Sequence, residues 1–285
     1  MSNFTARQTG KDVLVCGLQD FSLPQILDCG QCFRWVPQGE KSYSGIAFGR
    51  YLTIEQTAPC DFLFHNTELS DFQNIWAPYF DLDRDYGEIK QVLSQDPILS
   101  KAARYAPGIR ILRQDGWETL CTFIISQNNN IKRIRGIVER LCETFGEPVP
   151  GGYAFPEPQR LAEASLEDLA PLRSGFRAKY LLDAAQKVSS GKLDLSALYT
   201  LPYKEAQESL KTIYGVGPKV ADCVLLFGFN RLEAFPMDVW MKRAMSALFP
   251  DGLPAFALPW AGIAQQYIFH YARTCPESLS DSEKP

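Results

Sequence analysis

Leu210-Lys-Thr-Ile-Tyr-Gly215-Val-Gly217-Pro-Lys219-Val-Ala-Asp-Cys223, followed by Pro236-Met-Asp238-Val239, decides how the second half of this chain is read. The Gly215-Val216-Gly217 turn separates two apolar helical patterns, with Leu210 and Ile213 before it and Val220 and Ala221 after it, which together spell a helix-hairpin-helix. Glycines allow a tight turn and close approach to a phosphate, and free amides at the start of the second helix suit an anion. Such a contact grips a nucleic-acid backbone without reading its sequence, and a structural cation bridging hairpin and phosphate is compatible with it. Lys219 falls near the start of the second helix. Asp238, just past a proline, is placed to cap a helix over Val239–Leu248. A lysine at a helix mouth, with a rigid carboxylate nearby to stabilise a cationic transition state, is a pattern for an amine nucleophile. Cys223, four residues after Lys219, shares its helix face.

Composition narrows the classes around that core. The chain has 285 residues, 46% of them hydrophobic, enough for a sizeable core and several subdomains. No apolar run approaches the roughly 20 residues of a bilayer span, and Met1–Gly10 has no apolar signal-peptide core. The expectation is an intracellular protein with no membrane partner, in the cytoplasm or nucleoid if the source is prokaryotic, acting as a monomer. Net charge is −4 and pI about 5.4, which weighs against a general polyanion binder but does not exclude DNA binding through local basic patches. Lys132-Arg133-Ile-Arg135 with Arg140 is one such patch; Arg110, Arg113, Arg177 and Lys179 add to it. Cys29-Gly-Gln-Cys32 is a solitary CxxC, which points away from zinc or redox chemistry. The last third holds only Cys223 and Cys275, so no four-cysteine iron–sulfur cluster can be built there. No cofactor and no metal ligand set is expected.

Working outward to the N-terminus, residues 1–100 read as a β-rich domain. Val13–Cys16, Cys32–Trp35, Tyr43–Phe48, Tyr51–Ile54 and Phe62–Phe64 are short aromatic or β-branched runs between Gly, Pro and polar clusters, the signature of an antiparallel sheet. From about Asp83 the spacing turns helical. Residues 101–275 read as an all-α domain, and 276–285 as a polar, disordered tail. Asp115 is placed to cap Trp117–Ser126, Asn128-Asn-Asn130 breaks the pattern, and Ile131, Ile134, Val138 and Leu141 stripe the next helix. Leu161–Leu169, Ala178–Val188 and Pro259–Arg273 are further helical patterns, the second stopping at Ser189-Ser-Gly191.

The hairpin with its Gly/Pro element and downstream aspartate resembles the helix-hairpin-helix-GPD superfamily of base-excision glycosylases. The finer pattern is similar to the 8-oxoguanine DNA glycosylase/AP lyase family. Val216–Cys223, Asn128–Arg133, Gly30–Trp35, Gly175–Tyr180 and Ala264-Gln265 with Phe269 all match its motifs, in order, across residues 29 to 270. The resemblance implies an α+β fold: an N-terminal antiparallel sheet domain, TBP-like, packed on the helical glycosylase domain. It implies a bifunctional enzyme that flips 8-oxoguanine out of damaged double-stranded DNA opposite cytosine, excises it through a lysine Schiff base and cuts the strand by β-elimination. It further implies that Lys219 attacks the sugar while Asp238 assists, and that Cys223 and Phe269 sandwich the base. Gln265 would bind its Watson–Crick edge and the Gly30 carbonyl its N7–H. Asn128, Arg133 and Arg177 would hold the orphaned cytosine, with Phe176 as the wedge, and Gly215, Val216 and Gly217 would grip the phosphate. Two positions depart from the family: Phe176 stands where tyrosine is frequent, and Trp240 where histidine is frequent. Two other readings carry less of the pattern: an alkylated-base or mismatch glycosylase of the same superfamily, whose monofunctional members generally lack the lysine, and a non-catalytic DNA-binding module using the hairpin alone.

Overall fold

The computed structural model describes residues 4–275; the polar tail expected from Pro276 lies outside the described residues. β1 (Thr5–Thr9), β2 (Asp12–Cys16), β3 (Trp35–Pro37), β4 (Ser42–Ala47), β5 (Arg50–Ala58) and β6 (Asp61–His65) form one antiparallel sheet in the order β1-β2-β6-β5-β4-β3. Period-two patterning turns Val13 and Val15, Leu52 and Ile54, and Phe62 and Phe64 onto one buried face. That register pairs Val13 with Phe64 and Phe64 with Ile54. Short helical pieces cover this face: α1 (Leu23–Leu27), α2 (Leu69–Asp71), a π-helical turn (Phe72–Trp76) and α3 (Ala77–Tyr79). The core beneath them is aromatic. Trp35 meets Trp76 edge-on at 6.4 Å, and its indole N–H donates to the Tyr79 hydroxyl at 2.7 Å, so a fully buried polar group is satisfied.

The sequence pattern and the structure part at several points here. Of the run Cys32–Trp35, only Trp35 enters the sheet; Gln31 and its neighbours are held instead against residues 110–114, as described below. Phe48 leaves β4 and turns with φ +51°. Helical structure begins well before Asp83, with α1 and the turns from Leu69. β1, the polar edge strand, carries no apolar alternation to betray it.

The remaining helices are α4 (Tyr86–Leu93), α5 (Pro97–Tyr105), α6 (Gly116–Ser126), α7 (Ile131–Phe145), α8 (Pro158–Ala162), α9 (Arg177–Ser189), α10 (Tyr203–Lys211), α11 (Pro218–Phe229), α12 (Val239–Leu248) and α13 (Ala261–Thr274). They share a second core, in which α6 and α11 are surrounded on nearly all sides. Asp115 caps α6 by accepting from the Glu118 amide at 2.8 Å, and Asn130 caps α7 by accepting from the Arg133 amide at 2.9 Å. The pattern Leu161–Leu169 is not one helix: α8 stops at Ala162. Ser165 and Asp168 exchange bonds instead, with the Ser165 amide donating to Asp168 Oδ2 at 2.8 Å, a local alternative to the helical ladder. Pro259 lies in a 3₁₀ turn (Ala255–Trp260) ahead of α13.

A buried polar seam joins the two cores. Asp81, fully buried with φ +53°, accepts from Arg84 Nε at 2.6 Å, from the Tyr86 hydroxyl at 2.9 Å and from Arg113. Arg110 donates to the carbonyls of Asp20 at 2.8 Å and Asp81 at 2.7 Å. Removing one partner from such a network leaves buried charge uncompensated. Asp81→Asn keeps the shape and tolerates the left-handed backbone but removes the charge and turns one acceptor into an NH2 that faces a donor; it is expected to lower unfolding free energy by about 3–5 kcal/mol in urea denaturation.

Candidate active site

Five separated segments converge on one cavity of about 210 Å³: its lining includes Gly30 and Phe33, Phe123, Lys219 and Cys223 of α11, Asp238, and Gln265 and Phe269 of α13. That is below the roughly 300–1,000 Å³ of pockets that hold drug-sized ligands, and suits one flat ring system. Phe123 and Phe227 are stacked at 5.5 Å and 15°, and Phe33 meets Phe123 edge-on at 5.8 Å; all three belong to the cavity lining.

Lys219 is half-buried. Gly217 is the extended N-cap of α11 and Pro218 its first residue, a start that places Lys219 among the unpaired amides of the first turn. The amine lies 5.3 Å from the centre of the Phe123 ring. It also interacts with the Cys223 thiol: burial pushes that thiol up to about 11, and the neighbouring Lys219 only partly opposes the rise. Cys223 is therefore a protonated, compact wall and not a nucleophile. Asp238 caps α12, its Oδ1 accepting from the Met241 amide at 2.7 Å. Gln265 is buried and donates to the Pro236 carbonyl at 3.2 Å.

The predicted residues thus fall into two groups. Gly30, Lys219, Cys223, Asp238, Gln265 and Phe269 share the cavity. Asn128, Arg133, Phe176 and Arg177, with the hairpin Gly215, Val216 and Gly217, lie outside its lining. Asn128 is exposed in a left-handed turn, φ +47°, and Arg133 is exposed on the first turn of α7. Phe176, 49% exposed, precedes α9. Arg177, expected to face an opposing base, is buried. It donates to the Ser174 carbonyl at 3.2 Å and the Asn128 carbonyl at 2.9 Å, and also to that of Gln127. It braces the Asn loop, and it must release some of these bonds to reach outward.

The hairpin is stapled to α9. Asp183 Oδ2 accepts from the Tyr214 amide at 2.7 Å and from Lys187 at 2.8 Å. Aromatic contacts run along the same junction, Phe176 to Tyr180 at 5.5 Å and Tyr180 to Tyr214 at 5.1 Å. The start of α9 and the Gly215–Gly217 turn are therefore one mechanical piece.

Several lining residues escaped the sequence reading. Phe33, whose place in the run Cys32–Trp35 predicts sheet core, packs in the helical core and lines the cavity. Asn129, not Asn128, reaches the lining. Gln266 forms an amide doublet with Gln265 within the largely apolar run Ala261–Phe269, the signal in the sequence that marks it.

A family model of the N-terminal domain of 8-oxoguanine DNA glycosylase matches residues 13–120. A model of the HhH-GPD superfamily of base excision DNA repair proteins matches residues 121–252. The N-glycosylase/DNA lyase OGG1 of Arabidopsis thaliana is 34% identical over 277 residues, covering 88% of this chain and 73% of the plant protein. This chain belongs to the 8-oxoguanine DNA glycosylase/AP lyase family. Its fold is that of a Clostridium acetobutylicum 8-oxoguanine glycosylase/lyase, solved with double-stranded DNA containing cytosine opposite 8-oxoguanine. The two share 40% identity and a TM-score of 0.89, over 96% of this chain and 99% of that one. MBOgg1, solved with a low-affinity DNA ligand, is 44% identical with a TM-score of 0.90 over 96% and 99% of the two chains. The six-stranded antiparallel sheet and helical hairpin domain agree with the fold class read from the sequence.

Gly215 has φ +79°, and a Cβ there would lie 2.4 Å from the Tyr180 ring. Gly215→Ala is expected to cost about 1–3 kcal/mol of stability from backbone strain alone, plus the clash. In a Tyr180→Leu background the second part of the cost should shrink, which a double-mutant cycle by thermal denaturation measures.

Proposed function

We propose that this chain removes 8-oxoguanine from duplex DNA opposite cytosine and then cuts the strand, with Lys219 as the nucleophile of both steps. The observation that carries this reading is the convergence of Lys219, Asp238, Cys223, Gln265, Phe269 and Gly30 on one cavity of single-base size. The damaged nucleotide rotates out of the duplex into that cavity. The neutral amine of Lys219 attacks C1′, and the N-glycosidic bond breaks with its electron pair leaving on the base. Loss of a proton from the attached nitrogen and opening of the sugar give a Schiff base. Removal of a C2′ proton then expels the 3′ phosphate oxygen by β-elimination. Asp238, held rigidly by its capping bond, stabilises the cationic sugar as charge develops. The chemistry uses no metal and no redox group.

Recognition follows from hydrogen-bond inventory. Cys223 and Phe269 hold the base between them, and Gln265 reads its Watson–Crick edge. Guanine carries a bare acceptor at N7, whereas the oxidised base carries N7–H, so the Gly30 carbonyl attracts one and repels the other. Asn128, Arg133 and Arg177 hold the orphaned cytosine, whose O2 and N3 are acceptors and N4 a donor. Phe176 fills the gap in the stack. The Gly215-Val216-Gly217 amides grip a backbone phosphate, with room in this scheme for a bridging cation. No helix among the described residues is long and apolar enough to cross a membrane.

Borohydride trapping on a duplex with 8-oxoguanine opposite cytosine tests the nucleophile. The wild type should give a covalent enzyme–DNA band, weaker opposite adenine. Lys219→Gln should lose it and lower excision by roughly a thousandfold or more, the scale of deleting a covalent nucleophile, while lesion binding persists. Free base released without any crosslink would point to a water nucleophile and a structural Lys219.

A further inference from the structure

Gln266 makes a bond that the chemistry above leaves unused. Its Nε2 donates to Gln265 Oε1 at 2.7 Å, both side chains being buried, while Gln265 Nε2 donates to the Pro236 carbonyl at 3.2 Å. A peptide carbonyl only accepts. Pro236 therefore fixes which end of the Gln265 amide is nitrogen, and Gln266 must then present its own nitrogen to the exposed oxygen end. Turning the Gln265 amide over would set oxygen against the Pro236 oxygen at one end and nitrogen against nitrogen at the other. The relay runs one way. Gln266 holds it at an evident energetic expense, because its own Oε1 is buried without a hydrogen-bond partner among the described residues. Gln266 also belongs to the lining of the cavity.

We propose that Gln266 is a positioning residue that locks the Gln265 amide in the orientation complementary to a guanine edge and wrong for an adenine edge. The proposal rests on the reading that Gln265 contacts the flipped base. Once bound at both ends, the Gln265 amide keeps one N–H and one oxygen lone pair of fixed sense. Guanine-type bases offer an acceptor at O6 and a donor at N1. Adenine-type bases offer a donor at N6 and an acceptor at N1, the reverse order. A freely turning amide would serve both; a locked one serves the first.

Single-turnover excision of 8-oxoguanine and of 8-oxoadenine, each opposite cytosine, measures the discrimination. Gln266→Met keeps length and burial but cannot donate. It should reduce the ratio of the two rates by roughly 3- to 10-fold, the factor one net hydrogen bond supplies, with the thermal midpoint recorded alongside. Gln266→Glu, which can only accept from an amide, should reduce the ratio further by favouring the turned-over Gln265. Gln265→Ala is the control for the underlying reading. If it leaves the ratio unchanged, Gln265 does not read the base and the proposal falls with that reading. If Gln265→Ala reduces the ratio while both Gln266 variants keep it at the wild-type value, only the locking role is overturned. A uniform loss of both rates in the Gln266 variants, with the ratio intact, also overturns it and marks Gln266 as structural.

Discussion

The cavity exists because one side chain from the sheet half, Gln31, is locked into the backbone of the segment that leads to the helices. Gln31 is 1% exposed. Its amide nitrogen donates to the Ile26 carbonyl at 2.9 Å and the Arg110 carbonyl at 2.8 Å, and its oxygen accepts from the Leu112 amide at 2.9 Å. Gln114 returns a bond to the Gln31 carbonyl at 2.7 Å. A buried amide satisfied this fully is stable, whereas a partly satisfied one costs about 1–3 kcal/mol for each orphaned group. The lock sets Gly30, with φ +90°, on the cavity wall, and it is the reason Cys32–Arg34 cannot join the sheet. It also leaves the Cys29 and Cys32 thiols buried: Cys29 is pushed up to about 11 by burial, and Cys32 is raised by burial as well. Cys29 is thus part of the cavity wall and Cys32 part of the sheet-side core, and the two are not a reactive pair.

Groups that stabilise the helices are the same groups that shape the site. Asp238 holds the start of α12 while facing the cavity, so its carboxylate needs no reorganisation when positive charge appears beside it. Asp183 ties Tyr214 to α9, so the Gly215–Gly217 turn cannot shift without moving the helix that begins beside Phe176. Arg177 holds the loop Gln127–Asn128 from beneath. In each case a structural bond fixes a distance that the chemistry requires.

How much of this was legible in the sequence depends on whether the information was local. The caps at Asp115 and Asp238, the helix stop near Gly191 and the hairpin turn are set by residues within a few positions of one another, and all were readable; the cap at Asn130 was legible only as a break in the pattern. The grouping of Gly30, Lys219, Asp238 and Gln265 followed from motif order, since spacing alone says nothing of how four distant segments converge. What was hidden is tertiary. Phe33 alternates like a strand residue, but the Gln31 lock turns it toward Phe123. Arg177 has the composition of an outward contact, yet three carbonyls within reach claim its donors. Leu161 and Leu169 are both buried as a helix pattern demands, while the Ser165–Asp168 bonds bend the chain between them. β1 is polar on both faces, so only its partner β2 defines it.

Net charge of −4 sits oddly with a polyanionic partner until the charges are sorted by pairing. Arg34 with Glu118, Arg84 and Arg113 with Asp81, Arg135 with Asp28, Lys187 with Asp183 and Arg231 with Glu233 neutralise one another. Lys132 and Arg133 on the first turn of α7, and Lys242 and Arg243 on α12, form no ion pair with a described residue and are exposed. Ile131 and Ile134 of α7 and Asp238 at the head of α12 line the cavity, so these cations belong to helices that border it. The amino ends of α7, α11 and α12 add their own partial positive charge at the same place. Fields of this kind act within about a Debye length, roughly 8–10 Å. An approaching phosphate therefore feels the cations and helix ends at the cavity and little of the acidic surface elsewhere, which is how an acidic protein can hold a DNA backbone at one place only.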